Sequence, residues 1–257
     1  MSLMARIEDY WDRQPCNVRR SSAPVGSREW SQEISERKYR SEPHIRGFAQ
    51  FERWRGKRVL EIGCGIGSDT LEFAKAGASV IDAVDLSGYS ISLAAERVRQ
   101  AGLMNVRFSH LNAEDDLPPY LCFFDLIYSF GVLHHTPHPY RVLRAAYSRL
   151  KMNGELRIML YARWSIKNLL GWQPEAQADC PLARRYTERQ ACGLLQAAGF
   201  EVVSVRKTHI FPYQIPAYIE HRYVKRWGYR MLPGPVFRWL ERCLGDHLLI
   251  TARKAAQ

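Results

Sequence analysis

The feature that most constrains the fold is a regular alternation of apolar, strand-like runs with helical patterns, which begins at residue 57. Apolar runs typical of buried strands lie at residues 57–63, 78–85, 106–110, 123–129, 155–161, 201–207 and 246–253. Helical patterns lie at residues 69–76, 89–101, 139–150 and 187–198, and Asn153-Gly154 predicts a turn before the fifth strand. This alternation predicts an α/β fold with a mostly parallel, doubly wound seven-stranded sheet. No crossover helix is predicted directly between the last two strands, and an antiparallel last strand is allowed on such a sheet.

The 257 residues divide into a polar leader and a long regular domain. Residues 1–56 are rich in polar, charged and aromatic side chains and are predicted to pack as a lid or cap on the rest of the chain. Residues 57–257 form the main domain, with insertions at about 162–186 and 208–245. Aliphatic, aromatic and cysteine residues make up 46% of the chain and charged residues 25%. These values exclude the collagen-like, disordered and disulfide-scaffold classes.

The net charge is +11 and is concentrated in the last third of the chain. Residues 162–257 carry fifteen basic and seven acidic side chains. A basic excess suits an anionic substrate, a membrane surface or a nucleic acid, or it forms a solvated basic face. Charge alone leaves these four interpretations open.

The six cysteines predict neither a zinc site nor a disulfide framework. No two of them form a C-x-x-C pair, and the nearest two are twelve residues apart. The start of the chain lacks the pattern of a signal peptide, and no apolar run is long enough to span a bilayer. We therefore expect a reducing, cytoplasmic environment.

A glycine-rich turn joins the first predicted strand to the first helix. It reads Glu61-Ile62-Gly63-Cys64-Gly65-Ile66-Gly67-Ser68. Ligands bind at the carboxyl ends of strands in such sheets, and glycines let the backbone approach them closely. A dinucleotide fingerprint requires Gly or Ala where Ser68 stands, and no Gly-Lys-Ser/Thr of a P-loop follows. The spacing therefore argues against a pyrophosphate resting on the helix N-terminus, and the turn alone does not identify the ligand.

Three further signals follow the next strands. Asp85 ends the second strand, where a carboxylate can accept hydrogen bonds from ribose hydroxyls. Asn112-Ala113-Glu114 follows the third strand and suits the edge of an adenine ring. The fourth strand ends at Ser129-Phe130, where reactants would meet.

In their order and spacing, these four motifs resemble the class I S-adenosylmethionine-dependent methyltransferases. The resemblance is to the small-molecule group with a quinone-methylase-like, methyltransferase type 11-like core, and it covers residues 57–161 most strongly. It implies a Rossmann-like sheet with an antiparallel last strand, S-adenosylmethionine as cofactor and S-adenosylhomocysteine as product. The cofactor-binding residues that it implies are Glu61, Gly63, Cys64, Gly65, Gly67, Asp85, Leu86, Asn112, Ala113, Glu114, Ser129 and Phe130.

The resemblance also assigns parts of the cofactor to these residues. The glycines shape the pocket, Asp85 binds the ribose with Leu86 beside the adenine, and Ser129 and Phe130 line the methionyl side. Asn112 departs from the family, which often has Asp there. The leader, with Tyr10-Trp11 and Glu42-Pro43-His44-Ile45, looks like that of some bacterial members and suggests a lid over the cofactor.

Histidines 134 and 135 are candidate general bases, since imidazole titrates near neutrality. They precede a Thr136-Pro137 turn, so one of them could instead cap the next helix or complete hydrogen bonds in the core. With His138 they could suggest a metal, but no acidic partner stands at suitable spacing. We therefore predict no metal site.

Aromatic and basic residues alternate from residue 213 to residue 244. Such a segment can form a substrate cap, contact a membrane, bind nucleic acid or simply pack as an insertion.

The predicted function is transfer of a methyl group from S-adenosylmethionine to oxygen, nitrogen or carbon of a small-molecule acceptor, with anionic and lipid-like molecules as candidate acceptors. Positioning would supply most of the catalysis. One alternative is a nucleic-acid methyltransferase, although Ser129-Phe130-Gly131-Val132 replaces the Asn/Asp-Pro-Pro-aromatic motif expected there. Another is a non-catalytic S-adenosylmethionine-binding module, and the glycine spacing disfavours a dehydrogenase. The acceptor and the oligomeric state stay open.

Overall fold

The computed structural model describes residues 1–115, 117–121, 123–170 and 179–254. Part of the predicted insertion at 162–186, residues 171–178, therefore lies outside the described residues, as does Cys122. The strands are β1 (Arg58–Ile62), β2 (Val80–Asp85), β3 (Val106–His110), β4 (Phe124–Phe130), β5 (Leu150–Tyr161), β6 (Phe200–Thr208) and β7 (His247–Lys254).

Helices flank this sheet and also form the leader. In the described part of the chain they are α1 (Leu3–Arg13), α2 (Arg28–Ser41), α3 (His44–Ala49), α4 (Ser68–Lys75), α5 (Gly88–Gln100), α6 (Pro139–Arg149), α7 (Ile166–Leu169), α8 (Glu188–Ala197), α9 (Ile215–Ile219), α10 (Trp227–Met231) and α11 (Gly234–Leu244). Short 3-10 turns span Val18–Arg20, Phe51–Trp54 and Leu133–His135. None of the described helices is long and apolar enough to cross a membrane.

The seven strands form one sheet in the order β3-β2-β1-β4-β5-β7-β6. Strands β1 to β5 pair in parallel, whereas β7 lies antiparallel between β5 and β6. This confirms the predicted mostly parallel, Rossmann-like sheet with an antiparallel last strand. Because β7 runs in the opposite direction, its first residue His247 pairs with Tyr161 at the end of β5. The start of β7 therefore lies at the same edge as the carboxyl ends of the parallel strands.

The prediction of a turn at Asn153-Gly154 is wrong. Strand β5 begins at Leu150 and continues through this point to Tyr161. The register jumps there, since Phe124 of β4 pairs with Leu150 while Leu126 pairs with Glu155. Asn153 adopts a left-handed φ of 61°, which asparagine tolerates better than most residues. The turn-like dipeptide thus forms an irregularity inside a strand instead of a strand boundary.

The leader packs against the sheet and against α5. Phe48, Phe51 and Trp54 belong to the same buried cluster as Val59 of β1 and Phe73 of α4. A second cluster joins α2 to the glycine turn and α5, and its buried members are Trp30, Ile34, Ile66 and Leu93. The division of the chain at residue 56 stays a prediction, because these contacts make a continuous apolar interior across it.

Arg97 of α5 ties the leader to the glycine turn. Its side chain is 1% exposed. Its guanidinium donates hydrogen bonds to the Ile66 carbonyl at 2.6 Å, to Ser68 Oγ at 3.0 Å and to Ser31 Oγ at 2.9 Å. Burial lowers the pKa of Arg97 to about 10, so the side chain remains charged at neutral pH. A buried cation with this many acceptors fixes three segments relative to one another.

Gly63 is required by both backbone conformation and space. Its φ is +74°, and a Cβ there would lie 2.2 Å from Cγ2 of Val132. Gly56 has a similar φ of +70° but no atom within 4 Å of such a Cβ. The two glycines therefore separate the cost of a left-handed backbone from the cost of a steric clash.

We predict that Gly56→Ala lowers the free energy of unfolding by about 1–2 kcal/mol, measured by urea denaturation. Gly63→Ala should cost about 1–3 kcal/mol more, because the added methyl overpacks the contact with Val132. Adding Val132→Ala to Gly63→Ala should recover part of that difference. Equal losses for the two single variants would contradict the close contact.

Candidate functional site

A cleft opens at the edge of the sheet where β1, β2 and β4 end. Ten of the fourteen residues predicted as site residues line it: Glu61, Gly63, Cys64, Gly65, Asp85, Leu86, Asn112, Ala113, Phe130 and His135. The other four, Gly67, Glu114, Ser129 and His134, are not among the lining residues. The predicted roles of all fourteen stay predictions, but most of these residues do meet in one place.

The glycine turn is held to the end of β2 by Asp85. The carboxylate accepts the backbone N–H of Gly65 at 2.7 Å through Oδ2 and that of Ser87 at 2.8 Å through Oδ1. Burial raises the pKa of Asp85, while these two N–H groups oppose the shift. A carboxylate oxygen has more than one acceptor site, so Asp85 can hold the turn and still receive a ligand hydroxyl.

Gly65 leaves a space that a side chain would fill. Its φ is +52°, and a Cβ built there would meet no atom within 4 Å. Since Gly65 lines the cleft, a ligand could approach its backbone directly. The residues present therefore fit a flat or extended ligand lying across the turn with hydroxyls toward Asp85.

The loop after β3 is shaped by Asn112 and Glu114. Asn112 Oδ1 accepts the backbone N–H of Glu114 at 3.0 Å. Glu114 Oε1 in turn accepts the backbone N–H of His138 at 2.7 Å, just before α6. Asn112 and Ala113 line the cleft, while Glu114 links two loops behind it.

Two other predicted residues shape the site without lining it. The hydroxyl of Ser129 donates to the carbonyl of Ile62 at 2.9 Å and joins β4 to β1. Gly67 has a φ of +72°, and a Cβ there would lie 2.8 Å from Cβ of Ala94 in α5. The glycine thus permits close packing of the turn against α5.

Below the turn, Glu61 and Asp69 form a buried polar network. Thr70 Oγ1 donates to Glu61. Asp69 accepts from Lys38 Nζ and Tyr39 OH, each at 2.8 Å, and from Tyr128 OH at 3.0 Å. Burial, followed by the charge of Asp69, raises the pKa of Glu61 to about 8. Sequence reasoning missed Asp69, because a helical carboxylate has no local signal of its distant partners.

The leader contributes directly to the cleft wall. Its lining residues are Met4, Ile7, Trp11, Cys16, Asn17, Lys38 and Glu42. Asp12 Oδ1 accepts the hydroxyl of Ser87 at 2.7 Å and the backbone N–H of Tyr89 at 3.1 Å, which fixes the end of α1 beside the cleft. The leader is thus placed as a lid would be, and opening and closing of that lid stays a prediction.

The two candidate bases differ in their surroundings. His135 lines the cleft, and its Nδ1 lies 2.6 Å from the carbonyl of Leu182. His134 is fully buried, and neither ring nitrogen has a hydrogen-bond partner among the described residues. Burial lowers the pKa of His135, and burial followed by His135 lowers that of His134 well below its usual value. Of the two, only His135 can face a bound molecule.

The 208–245 insertion has an attached part and an exposed part. Arg37 donates to the carbonyl of Tyr218 at 2.6 Å, and the guanidinium of Arg40 lies 3.9 Å from the ring centre of Tyr223, so the first part packs on α2. Helices α10 and α11 contain no buried residue. Trp227 is 76% exposed and Trp239 is 62% exposed.

A family of known proteins matches most of the chain. The family model described as a methyltransferase domain matches residues 33–205, about two thirds of the sequence. The match begins inside α2, so it includes part of the leader.

Curated relatives match the chain over the core. It is 30% identical over 115 residues to a mitochondrial ubiquinone biosynthesis O-methyltransferase of Schizosaccharomyces pombe, covering 45% of this chain and 42% of that protein. It is 40% identical over 105 residues to a tRNA U34 carboxymethyltransferase of Pseudomonas aeruginosa, covering 40% of this chain and 31% of that protein. The matched region spans less than half the length of these relatives.

Solved structures resemble the whole chain. A magnesium protoporphyrin IX methyltransferase of Synechocystis PCC 6803 covers 99% of this chain and 98% of its own, at 14% identity and a TM-score of 0.61. The [4+2]-cyclase SpnF covers 99% of this chain and 93% of its own, at 21% identity and a TM-score of 0.60. At these identities the similarity concerns the fold.

We predict that Glu61 makes stability fall as pH rises. Its pKa is about 8 in the folded chain and 4.5 in its ordinary state, so the folded protein retains a proton that the unfolded chain releases. The stabilisation is complete below about pH 4.5 and is lost as pH rises toward about 8. Glu61→Gln should therefore raise the melting temperature at about pH 9, by roughly 2–4 °C per kcal/mol relieved, and much less at about pH 5. Glu52→Gln, at an exposed site, is the control; an identical pH profile for Glu61→Gln and the unmodified protein would contradict the assignment.

Proposed function

This chain belongs to the class I S-adenosylmethionine-dependent methyltransferase family, and on that premise we propose that it methylates a small-molecule acceptor in the described cleft. The observation that carries the proposal is the contact of Asp85 with the Gly65 N–H, beside the open space at Gly65. S-adenosylmethionine would supply an activated methyl group on a sulfonium centre. The protein's residues then need to bind, orient and exclude water.

The cleft residues divide between two ends. Asp85 would accept the ribose hydroxyls, and Leu86 with Asn112 and Ala113 would border the adenine. Phe130 stands at the other end with Met159, Tyr161 and His247, which are also lining residues. The apolar side chains of Phe130 and Met159 would help to exclude water from the place where a nucleophile and the methyl group would align. Glu61 supports the turn through Thr70 from below.

We propose His135 as the general base for acceptors that must lose a proton. Because Nδ1 donates to the Leu182 carbonyl, the neutral ring carries its free lone pair on Nε2. Its lowered pKa keeps the ring neutral at pH 7, which is the state that can accept a proton. Trp11 of the leader packs edge-on against this ring, with 5.1 Å between ring centres, so the leader covers it.

We also propose that the acceptor is lipid-like or anionic and that the protein reaches it at a membrane surface. Helices α10 and α11 expose Trp227, Met231, Val236 and Trp239. Arg230, Arg238 and Arg242 are exposed on the same two helices. Exposed aromatic and aliphatic side chains interleaved with arginines suit the boundary of an anionic bilayer. We name these seven residues the α10–α11 surface.

We propose that the protein works in a reducing compartment such as the cytoplasm, because its described cysteines include free thiols. Cys64, Cys180, Cys192 and Cys243 are free thiols. Burial raises the pKa of Cys64 well above its usual value, so this thiol remains protonated in the cleft wall.

The alternatives make different demands. A nucleic-acid acceptor would use the basic C-terminal third and would bind RNA or DNA with a strong dependence on salt. A non-catalytic module would bind S-adenosylmethionine and methylate nothing, a real option because one fold hosts several activities. The apolar side chains of Phe130 and Met159 in the cleft favour a small acceptor over a nucleic acid, and an assay of methyl transfer separates it from a non-catalytic module.

We predict that S-adenosylmethionine and S-adenosylhomocysteine bind in calorimetric titrations and that NAD does not. Asp85→Ala should weaken both interactions roughly 10–100-fold, the value of one or two hydrogen bonds to a charged group. Glu201→Ala, which removes an exposed carboxylate paired with Arg253, is the matched control and should leave both affinities unchanged. NAD binding, or an unchanged affinity in Asp85→Ala, would contradict the proposal.

We predict that His135→Ala lowers methyl transfer from methyl-labelled S-adenosylmethionine to phenolic and quinol acceptors by about 10²–10⁴-fold, the usual contribution of a general base. Affinity for S-adenosylhomocysteine should stay within about twofold, because that ligand needs no base. The control variant His138→Ala, which changes an exposed neighbouring histidine, should keep full turnover. Full turnover in His135→Ala would contradict the proposal that His135 is the general base and would indicate that catalysis comes from positioning.

We predict that the protein floats with anionic liposomes at low salt and less at high salt. The double variant Trp227→Ala/Trp239→Ala should lose most of this binding. Trp164→Ala removes a tryptophan that is 56% exposed but lies outside the α10–α11 surface, and it should float normally. Absence of flotation at low salt would contradict membrane contact.

A further inference from the structure

Three histidines that are distant in the chain meet beside the acceptor end of the cleft. His44 begins α3, His209 follows the last residue of β6, and His247 begins β7. One ring nitrogen from each lies within 4.8 Å of the others, and His44 Nε2 is 3.0 Å from His247 Nδ1. We call these three residues the histidine triad.

The sheet edge holds two members of the triad together. Thr208 pairs with His247 in the antiparallel ladder, so His209 stands next to His247 at the end of that pair. The backbone N–H of Asp246 donates to the His209 carbonyl at 2.9 Å. The rings of His209 and His247 stack with 4.4 Å between centres. His209 itself has a φ of +72°, an uncommon backbone conformation for a residue with a side chain.

Two rings of the triad are in surroundings that disfavour the positively charged form. Burial, then the neighbouring His209, lowers the pKa of His44 to about 3. Burial, then the other two rings, lowers the pKa of His247 well below its usual value. Imidazole nitrogens carry the lone pairs that bind transition metals, and the inference rests on the meeting of three such nitrogens within 4.8 Å of one another.

Neighbouring charges oppose each other. Glu42 favours a positive charge at His44, whereas Arg206 disfavours it, and Lys167 disfavours it at His247. Lys167 is paired with Asp246 Oδ2 at 3.1 Å, which reduces its effect. The surroundings therefore do not exclude a cation.

We propose that the histidine triad is a binding site for one divalent transition-metal ion. Around zinc, with Zn–N bonds of about 2.0–2.1 Å, tetrahedral ligand nitrogens stand roughly 3.3 Å apart. His44 Nε2 and His247 Nδ1 already lie at about this spacing, 3.0 Å apart, and a nitrogen of His209 lies within 4.8 Å of them, so binding would draw the His209 ring closer. Imidazole ligands select zinc, cobalt, nickel or copper over magnesium or calcium, which prefer oxygen.

The number of ligands and the position of the site suggest what it serves. Three protein ligands leave a coordination position open, as in catalytic zinc sites. His247 lines the cleft, and its ring centre lies 5.6 Å from that of Phe130. If the chain carries out the proposed methyl transfer, the bound metal would select acceptors that carry a metal-ligating oxygen or nitrogen beside the reacting atom. This selection rests on the proposed function, whereas metal binding by the triad does not.

The test is zinc binding by untagged, chelator-treated protein. Calorimetry with ZnCl₂ at pH 7.5 should give one ion per chain, and CoCl₂ should give the absorption bands of four-coordinate cobalt. MgCl₂ should give no heat of binding. Variants His44→Gln and His209→Gln should each weaken zinc binding at least tenfold and abolish the cobalt bands.

His221→Gln is the matched control. His221 also has a left-handed φ, +62°, but it is exposed and lies outside the triad, so the same change there should leave zinc affinity unchanged. Each variant is also titrated with S-adenosylhomocysteine, whose affinity should stay within about twofold. Loss of zinc binding with retained S-adenosylhomocysteine binding supports the site independently of the proposed reaction. Absence of stoichiometric zinc binding by the unmodified protein, or equal zinc affinity in His209→Gln and His221→Gln, would overturn the inference.

Discussion

The contact between the Asp85 carboxylate and the backbone N–H of Gly65 is the interaction on which the site depends. At 2.7 Å it joins the end of β2 to the turn after β1, and so brings an acidic group to the half-buried backbone of Gly65, which lines the cleft. The turn can take this path only because Gly63 and Gly67 accept left-handed conformations against Val132 and Ala94. The glycines of the turn, the position of Asp85 and the open space at Gly65 therefore depend on one another.

The leader forms a second part of the cleft wall, beside the glycine turn. The buried guanidinium of Arg97 joins Ser31 of α2 to the carbonyl of Ile66, and Lys38 reaches Asp69 at the start of α4. These contacts place the leader over a cleft that the sheet alone would leave open on one side. On the proposed function, exclusion of water from the acceptor end would thus depend in part on residues outside the alternating strands and helices.

Local signals account for what could be predicted from the sequence. Apolar runs, glycines at the ends of helices and strands, and an acidic residue at a strand end can be recognised in the sequence without knowledge of tertiary contacts. The sheet and the position of Asp85 at the end of β2 were therefore predicted correctly. The roles played by Ser129 and Gly67 in packing, and by Asn153 inside a strand, depend on neighbours in other strands and in α5. The meeting of His44 with His247 depends on β7 entering antiparallel beside β5, and no spacing in the chain encodes that contact.

The most direct test of the central claim is a crystal structure of the protein with S-adenosylhomocysteine. The account predicts ribose hydroxyls within hydrogen-bond distance of Asp85, adenine along Leu86 and Ala113, and the sulfur atom directed toward Phe130. It would be contradicted by a ligand bound elsewhere on the sheet edge, or by a ribose that faces away from Asp85.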